Sequence, residues 1–310
     1  MVELIKPRWL SPGDTVAITA PASWVDTEQV KADSIFLQKM GLNVRFGDTL
    51  SMQYGYLAGT DEARAGELNA MFADPAIKAI ICARGGYGTG RIADLLDYDL
   101  IRANPKIFWG YSDITFLHAA IGRFAGLVTF HGPMLVDLGK EEVHPLTLQN
   151  YESLLHPAVL RYTEAISPLQ TLVEGEAFGP LVGGNLSLIV STLGTPYELD
   201  TSGKLFFIED IDEEPYRLDR MLNQLRLAGK LADAAGILLC DFHNCVPSKR
   251  KVSLTLEEIF NAHIVSAGKP TLSGFKIGHC SPNIAVPLGI EARMSTYEKL
   301  LVCMEPGVEA

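Results

Sequence analysis

The segment Ile107-Phe-Trp-Gly-Tyr-Ser-Asp-Ile-Thr115 predicts a buried strand that turns sharply into a helix. Its first residues are apolar, Gly110 ends the strand, and the helix is expected to begin near Asp113. Such a turn presents the Ser112 hydroxyl at the carboxyl end of a sheet, beside the free N–H groups of a helix start. A nucleophilic serine needs these donors, because an oxyanion develops next to it. The pattern is close to the nucleophile elbow G-x-S-x-G, with Ile114 in place of the last glycine. The alternative is a serine that only caps a helix.

Strands and helices alternate on both sides of this segment. Strands are expected at residues 15–20, 42–46, 79–83 and 127–130, and helices at 26–40, 61–72, 91–101 and 114–124. This rhythm predicts an α/β domain with a parallel sheet and helices on both of its faces. Sheets of this class place ligands at the carboxyl ends of their strands.

The pattern changes after about residue 140, which indicates a second domain. We expect an N-terminal domain over 1–160 that carries the nucleophile, a linker over 161–175 and a C-terminal domain over 176–310. The expected elements of the later part are helices at 146–155, 185–193 and 216–227, strands at 205–208 and 237–240, and short strands and turns from 270 onward. The spacing of Asp26 with Gln29 and of Thr255 with Glu258 predicts a capping box at two helix starts.

The composition is that of a folded soluble protein, since 47% of the 310 residues are apolar and 20% are charged. A disordered chain would carry fewer apolar residues. The net charge of −11 argues against nucleic acid or an anionic membrane surface as a partner. We find no apolar run of the ~18–20 residues that a membrane-spanning helix needs, and no signal-peptide pattern. The five scattered cysteines fit reduced thiols in the cytoplasm.

A glycine-rich loop, Arg84-Gly-Gly-Tyr-Gly-Thr-Gly90, follows the third predicted strand. Glycines permit positive φ angles and a close approach of the backbone to other groups. Three interpretations remain open: a phosphate cradle, half of an oxyanion hole, or a tight turn. The spacing is not that of a dinucleotide-binding fingerprint.

Two further segments carry groups suited to acid–base chemistry. The apolar strand before Glu209 and Asp210 delivers carboxylates that can orient a histidine, or that simply form a solvated acidic turn. His279 lies in a predicted turn, where an imidazole can act as a general base or be a hydrogen-bonded structural group. The cluster Cys240-Asp-Phe-His-Asn-Cys245 matches no zinc spacing, and we expect no metal site.

Taken together, these segments resemble the LD-carboxypeptidase family of serine peptidases, which includes murein tetrapeptide carboxypeptidases and microcin C self-immunity peptidases. The resemblance runs almost the whole length of the chain. It is carried, in order, by Leu10-Ser-Pro-Gly-Asp-Thr-Val-Ala-Ile-Thr-Ala-Pro-Ala22, Arg84-Gly-Gly-Tyr-Gly88, Gly110-Tyr-Ser-Asp-Ile-Thr115, Phe130-His-Gly-Pro-Met134, Gly183-Gly-Asn-Leu186, Phe207-Ile-Glu-Asp210, Glu214-Pro-Tyr-Arg217 and Gly278-His279.

The resemblance implies a catalytic triad and an oxyanion hole. In the triad Ser112 is the nucleophile, His279 the general base and Glu209 the carboxylate that orients it. The oxyanion hole would consist of the backbone N–H groups of Asp113 and a loop glycine, for which Gly86 is preferred and Gly85 is the alternative. Further substrate contacts are expected at Arg84, Gly85, Tyr87, Asn185 and Arg217. Arg84, Arg91 and Arg217 are candidates for binding a substrate carboxylate, although each could instead form a structural ion pair.

The family resemblance also implies a fold, a substrate class and an assembly. The expected fold is a flavodoxin-like N-terminal domain with the serine and a smaller β-rich C-terminal domain with the glutamate and histidine. The expected substrate is a muropeptide that loses its C-terminal D-alanine, and the expected assembly is a homodimer. No metal or organic cofactor is implied.

Three other functions remain as alternatives. The first is a microcin C-type hydrolase that cleaves the amide of a peptide–nucleotide, although the compact chain favours the tetrapeptide carboxypeptidases. The second is a nucleotide- or phosphosugar-binding module that uses the Gly85–Gly90 loop. The third is an α/β-hydrolase esterase, which the order of Ser112, Glu209 and His279 suits but the missing elbow glycine does not.

Overall fold

The computed structural model describes residues 3–139, 142–248 and 252–310. The chain forms two compact units. The first comprises Met1–Ala158, Ser281–Gly289 and Pro306–Ala310, and the second comprises Val159–Cys280 and Ile290–Glu305. This division differs from the predicted one, because segments 281–289 and 306–310 of the expected C-terminal domain belong to the first unit.

The elements of both units are numbered in chain order. The strands are β1 (Thr15–Thr19), β2 (Asn43–Phe46), β3 (Ile77–Cys82), β4 (Ile107–Gly110), β5 (Thr129–His131), β6 (Arg161–Tyr162), β7 (Gln170–Val173), β8 (Glu176–Asn185), β9 (Leu205–Ile211), β10 (Gly236–His243), β11 (Thr271–Ser273), β12 (Val286–Leu288), β13 (Glu291–Ser295) and β14 (Leu300–Cys303). The helices are α1 (Thr27–Lys39), α2 (Asp61–Ala73), α3 (Tyr98–Ala103), α4 (Thr115–Phe124), α5 (Leu135–Leu138), α6 (Pro145–Glu152), α7 (Leu186–Thr192), α8 (Pro215–Leu227), α9 (Lys230–Asp233) and α10 (Leu256–His263).

The first unit is built on a sheet with the strand order β2-β1-β3-β4-β5-β12. The strands β1 to β5 are parallel, and β12 pairs antiparallel with β5 at the edge. The order 2-1-3-4-5 is that of flavodoxin-like folds, which confirms the predicted fold class. Apolar side chains of the strands pack against α2 and α4 in one core, which includes Leu68, Phe72, Ile80, Phe108 and Leu117.

Local capping signals place two of the helices correctly. The Asp26 side chain accepts hydrogen bonds from the backbone N–H groups of Glu28 and Gln29 at 3.0 and 3.1 Å, at the start of α1. Thr255 and Glu258 form the complete capping box of α10. In both cases a short polar side chain satisfies N–H groups that have no partner within the helix.

The single helix predicted at 91–101 is wrong. The chain instead forms two 3-10 turns, Thr89–Arg91 and Ala93–Leu95, before α3 begins. Between them and α3 the backbone of Leu96 is extended, and Asp97 caps α3 through a 2.9 Å hydrogen bond from the Leu100 N–H. The glycine-rich loop is therefore not followed directly by a long helix, which weakens the phosphate-cradle interpretation.

The second unit is built on a mixed sheet with the order β6-β14-β13-β8-β9-β10-β11-β7. The central strands β8 to β11 are parallel and the flanking strands are antiparallel. Helices α7, α8 and α10 cover its core, so the unit is β-rich but not purely β. Residues 161–175, predicted as a linker, contain β6 and β7, which pair with β14 and β11. No helix in the described part of the chain is both long and apolar enough to cross a membrane.

Candidate active site

Ser112 has a strained backbone directly after β4. Its φ angle is 64°, in the left-handed region that non-glycine residues adopt at a cost of order 1–3 kcal/mol. It begins a 3-10 turn, Ser112–Ile114. The N-cap residues, Tyr111 of this turn and Ile114 of α4, form no capping hydrogen bond through their side chains. Ser112 is therefore not the N-cap residue of either element, and its left-handed backbone at a strand-to-helix turn is that of a nucleophile elbow.

The elbow tolerates Ile114 because Gly110 has no side chain. A Cβ at Gly110 would lie 3.0 Å from Ile114 Cγ1 and 3.1 Å from Cys82 Cβ. The large side chain and the glycine thus occupy complementary positions four residues apart. This packing explains how the turn forms without the second glycine of the sequence motif.

A buried histidine holds the strand end that precedes the elbow. His118 Nε2 lies 2.8 Å from the carbonyl oxygen of Gly110, which also accepts a 3.2 Å hydrogen bond from the Gly132 N–H. Burial lowers the pKa of His118 to about 4. The ring is therefore neutral at pH 7, and Nε2–H donates to the carbonyl.

The glycine-rich loop lies against Ser112. A Cβ at the buried Gly85 would lie 2.9 Å from Ser112 Cβ, 3.1 Å from its Oγ and 3.2 Å from the backbone N of Asp113, so only glycine fits there. Gly86 has a φ of 110°, and a Cβ at this position would collide with the Ser23 hydroxyl. Among the described residues, the backbone N–H groups of Gly86 and Asp113 donate no hydrogen bond. Two N–H donors suited to an oxyanion thus occur on the two segments that meet at Ser112.

In the second unit, Glu209 and His279 form a buried pair. His279 Nδ1 lies 2.6 Å from Glu209 Oε2, and the exposed side-chain fractions are 12% for His279 and 0% for Glu209. Gly278, with a φ of 102°, allows this approach, since a Cβ there would lie 2.6 Å from the Glu209 carboxyl carbon. A carboxylate that accepts from Nδ1–H makes Nε2 the basic nitrogen of the neutral ring.

Asp210, next to Glu209, serves a structural network instead. Its carboxylate accepts hydrogen bonds from the Asn185 side chain at 3.0 Å, from the Ser187 N–H at 3.0 Å and hydroxyl at 2.8 Å, and from the Ile211 N–H at 2.9 Å. Burial, and next the neighbouring Glu209 charge, raise the pKa of Asp210 to about 6. Of the two adjacent carboxylates, only Glu209 contacts His279.

Comparison with known proteins assigns the family. Residues 16–132 match the LD-carboxypeptidase N-terminal domain, and residues 178–294 match the LD-carboxypeptidase C-terminal domain. The chain belongs to the LD-carboxypeptidase family. It is therefore a serine carboxypeptidase, as the order of its motifs predicts.

Individual relatives of this LD-carboxypeptidase are similar over nearly the full chain. It is 60% identical over 304 residues to the probable murein peptide carboxypeptidase of Bacillus subtilis, covering 98% of this chain and 95% of that protein. It is 32% identical to the murein tetrapeptide carboxypeptidase of Pseudomonas aeruginosa, with 91% and 93% covered. The structure of the microcin C7 self-immunity protein MccF in complex with aspartyl sulfamoyl adenosine superposes with a TM-score of 0.88 at 26% identity, covering 98% of this chain and 100% of the other.

The three arginines proposed to bind a substrate carboxylate differ in their surroundings. Arg91 is paired with Asp61, with an Nη2–Oδ2 distance of 2.7 Å, and Arg217 lies 3.4 Å from Glu213. Arg84 donates a 3.4 Å hydrogen bond to the Trp24 carbonyl and has no acidic partner among the described residues. Arg84 also directly precedes Gly85, which packs against Ser112.

The other expected substrate contacts are placed as follows. Tyr87 is 53% exposed, and its ring lies 5.6 Å from that of Tyr56. Asn185 is buried, and besides its bond to Asp210 its Oδ1 accepts a 3.3 Å hydrogen bond from the Leu188 N–H as the N-cap of α7. The Asn185 amide thus has partners within the second unit, whereas the Tyr87 side chain faces solvent.

Several side chains that fix the elbow and the glycine-rich loop are not evident from the sequence. The Asp113 carboxylate, Thr89, Ser23 and His118 all contact the elbow or the loop, and none was singled out for this role. Within the described ranges, no group of three or more His, Cys, Asp or Glu side chains is placed to hold a metal ion. None of the five cysteines forms a disulfide bond.

Proposed function

We propose that this protein removes the C-terminal D-alanine from murein tetrapeptides through an acyl-enzyme formed on Ser112. The substrate class rests on the 60% identity to a probable murein peptide carboxypeptidase over 98% of the chain. The observation that carries the chemistry is the left-handed Ser112, at a φ of 64°, with Gly85 packed against it. A strained serine beside unused backbone donors is suited to acyl transfer.

The first half of the reaction forms the acyl-enzyme. His279 Nε2 takes the proton of the Ser112 hydroxyl as its oxygen attacks the carbonyl carbon before D-alanine. The backbone N–H groups of Asp113 and Gly86 bind the oxyanion of the tetrahedral intermediate. The C–N bond then breaks, His279 returns the proton to the leaving amine, and D-alanine departs.

The second half releases the shortened peptide. Water gives its proton to His279 and attacks the Ser112 ester, and His279 reprotonates the serine oxygen as the ester bond breaks. Glu209 keeps Nδ1–H in place through the 2.6 Å contact and stabilises the imidazolium in both halves. Arg84 binds the terminal carboxylate of the substrate, with Gly85, Tyr87, Asn185 and Arg217 as further contacts, and no metal or organic cofactor takes part.

We also propose that the protein is a cytoplasmic homodimer that binds neither nucleic acid nor membranes. The compartment is supported by the five cysteines, none of which forms a disulfide, since a reducing environment preserves thiols. The net charge of −11 disfavours anionic surfaces as partners. The dimer rests on the family resemblance alone.

The proposal is tested by incubating the protein, without added metal, with L-Ala-D-Glu-diaminopimelate-D-Ala and following D-alanine by mass spectrometry. The wild type is expected to release D-alanine, and Ser112→Ala to lose at least about 10³-fold in kcat. Ser191→Ala, at an exposed position on α7, is the matched control and should remain active. Equal turnover by Ser112→Ala would contradict the proposal.

A parallel reaction with aspartyl sulfamoyl adenosine tests the microcin-type alternative. The similarity to the MccF complex with that compound is the observation that favours this second substrate. Cleavage of the nucleotide conjugate without cleavage of the tetrapeptide would identify the protein as a microcin C-type hydrolase. The chain is 29% identical to the microcin C7 self-immunity protein of Escherichia coli and 60% identical to the Bacillus subtilis protein. We therefore expect cleavage of the tetrapeptide and not of the nucleotide conjugate.

A further inference from the structure

The side chain of Asp113 is hydrogen-bonded to the glycine-rich loop. The Thr89 N–H donates a 2.9 Å hydrogen bond to Asp113 Oδ2, and the Thr89 hydroxyl donates a 2.5 Å hydrogen bond to the backbone oxygen of Asp113. The exposed fractions are 1% for Asp113 and 0% for Thr89. We refer to this reciprocal pair as the Asp113–Thr89 clamp.

The Asp113 carboxylate has no role in capping a helix. It lies in the 3-10 turn before α4, but the N-cap residues of the turn and of the helix are Tyr111 and Ile114, and Asp113 Oδ2 accepts from Thr89 instead. Burial raises the pKa of this carboxyl, while the hydrogen bonds from Thr89 act in the opposite direction. Since a buried carboxylate is costly unless it is hydrogen-bonded, an aspartate here stabilises the loop rather than its own helix.

The rest of the loop is fixed from two sides. Arg64, whose side chain is fully buried, donates to the carbonyl oxygens of Gly88 at 2.9 Å and Pro21 at 2.6 Å. On the other side, the Ser23 N–H donates to the Gly85 oxygen at 3.3 Å, and the Ser23 hydroxyl accepts from the Tyr87 N–H at 3.2 Å. The Asp113–Thr89 clamp links this loop to the elbow through side-chain hydrogen bonds.

We infer that the Asp113 carboxylate is a positioning residue that sets the geometry of the oxyanion hole. One proposed donor is the N–H of Asp113 itself, and the other is the Gly86 N–H, three residues before Thr89. Two donors on separate segments stabilise an oxyanion only when they are held within about 0.5 Å of the productive geometry. The clamp links the residue of the first donor to the loop of the second. This inference rests on the proposed function, because it assumes that an oxyanion forms at Ser112.

The test compares Asp113→Ala with Asp113→Asn. The amide oxygen of asparagine can still accept the Thr89 N–H, whereas alanine cannot. In tetrapeptide hydrolysis, Asp113→Ala is expected to lower kcat by about 10- to 100-fold with KM within about 3-fold of the wild type, since complete loss of an oxyanion donor costs about 10²–10³-fold. Asp113→Asn should lie within about 5-fold of the wild-type kcat. Asp33→Ala, which removes another buried carboxylate of the first unit, controls for loss of stability and should keep kcat.

A second readout does not depend on the natural substrate. A fluorophosphonate labels a serine when the serine oxygen attacks phosphorus and the P–F bond breaks. At Ser112, His279 would take up the serine proton and fluoride would leave. The negative charge that develops on the phosphoryl oxygen would lie in the oxyanion hole. The rate of labelling at Ser112 should fall in Asp113→Ala and recover in Asp113→Asn. An unchanged rate and kcat in Asp113→Ala, or an equal loss in Asp33→Ala, would overturn the inference. Labelling of a residue other than Ser112 would instead overturn the proposed function.

Discussion

At the level of single residues, the contact between Glu209 and His279 depends on the absence of a side chain at Gly278. Alanine at this position would need a φ near 102°, and its Cβ would lie 2.6 Å from the Glu209 carboxyl carbon. We expect Gly278→Ala to displace the carboxylate from Nδ1 and to lower kcat by about 10²–10⁴-fold, since loss of the correct histidine tautomer in a triad costs about 10⁴-fold. Steady-state kinetics on the tetrapeptide measures this.

Gly13 offers the matched control for this substitution. It has a φ of 92°, and nothing lies within 4 Å of the position of its missing Cβ. Gly13→Ala thus introduces comparable backbone strain without a collision, and we expect it to lose stability but to keep kcat. Equal kinetic losses in the two variants would show that strain, and not the Glu209–His279 contact, sets the effect.

The residue types of the site could be predicted, but not all of their contacts. Ser112 is visible in the sequence because the strand, Gly110 and the helical run are adjacent. Glu209 and His279 are 70 residues apart, and only the family resemblance pairs them. The Asp113–Thr89 contact also spans 24 positions and has no local signature, because a sequence shows which polar groups exist and not which ones meet in the fold.

At the scale of elements, the junction of β4 and α4 depends on a neutral His118. The ring donates from Nε2 to Gly110, and its buried Nδ1 has no hydrogen-bond partner, so protonation would create a buried unpaired N–H. The folded-state pKa of about 4 lies below the ordinary 6.5. Between these pH values the unfolded chain binds more protons than the folded one. The contribution of His118 to the free energy of unfolding is therefore lost as the pH falls from about 6.5 to 4.

We therefore expect the stability difference between the wild type and His118→Gln to depend on pH. Glutamine can donate to the Gly110 carbonyl but does not titrate in this range. Between pH 6.5 and pH 4, the unfolding free energy of the wild type should fall by up to about 3 kcal/mol more than that of His118→Gln. Urea unfolding at several pH values measures it, and a difference that stays constant with pH would contradict the neutral-imidazole assignment.

Elements with strong local signals were predictable, and elements made by tertiary contacts were not. Helices α1 and α10 begin at polar caps that the sequence displays. The break before α3 was missed because apolar spacing continues through it, although Asp97 caps the new helix. Strands β6 and β7 were missed because one has only two residues and both depend on distant partners, β14 and β11.

At the scale of the whole molecule, the two units are not consecutive segments of the chain. The chain passes between them after Ala158, Cys280, Gly289 and Glu305. The return of β12 to the first unit is fixed by its pairing with β5, where Pro287 stands opposite Phe130. Composition changes along a chain cannot reveal such a return, so the predicted division into 1–160 and 176–310 contains no return of a later segment to the first unit.

The proposed function requires that Ser112 and His279 act together in acyl transfer. The most direct measurement is kcat/KM for D-alanine release by Ser112→Ala, His279→Ala and the double variant, with circular dichroism confirming that each is folded. Residues that act as a unit are strongly non-additive. We expect each single variant to lose at least about 10³-fold in kcat/KM and the double variant to lose no more than the worse single one. Losses that multiply in the double variant, or a His279→Ala variant with near wild-type activity, would contradict this expectation.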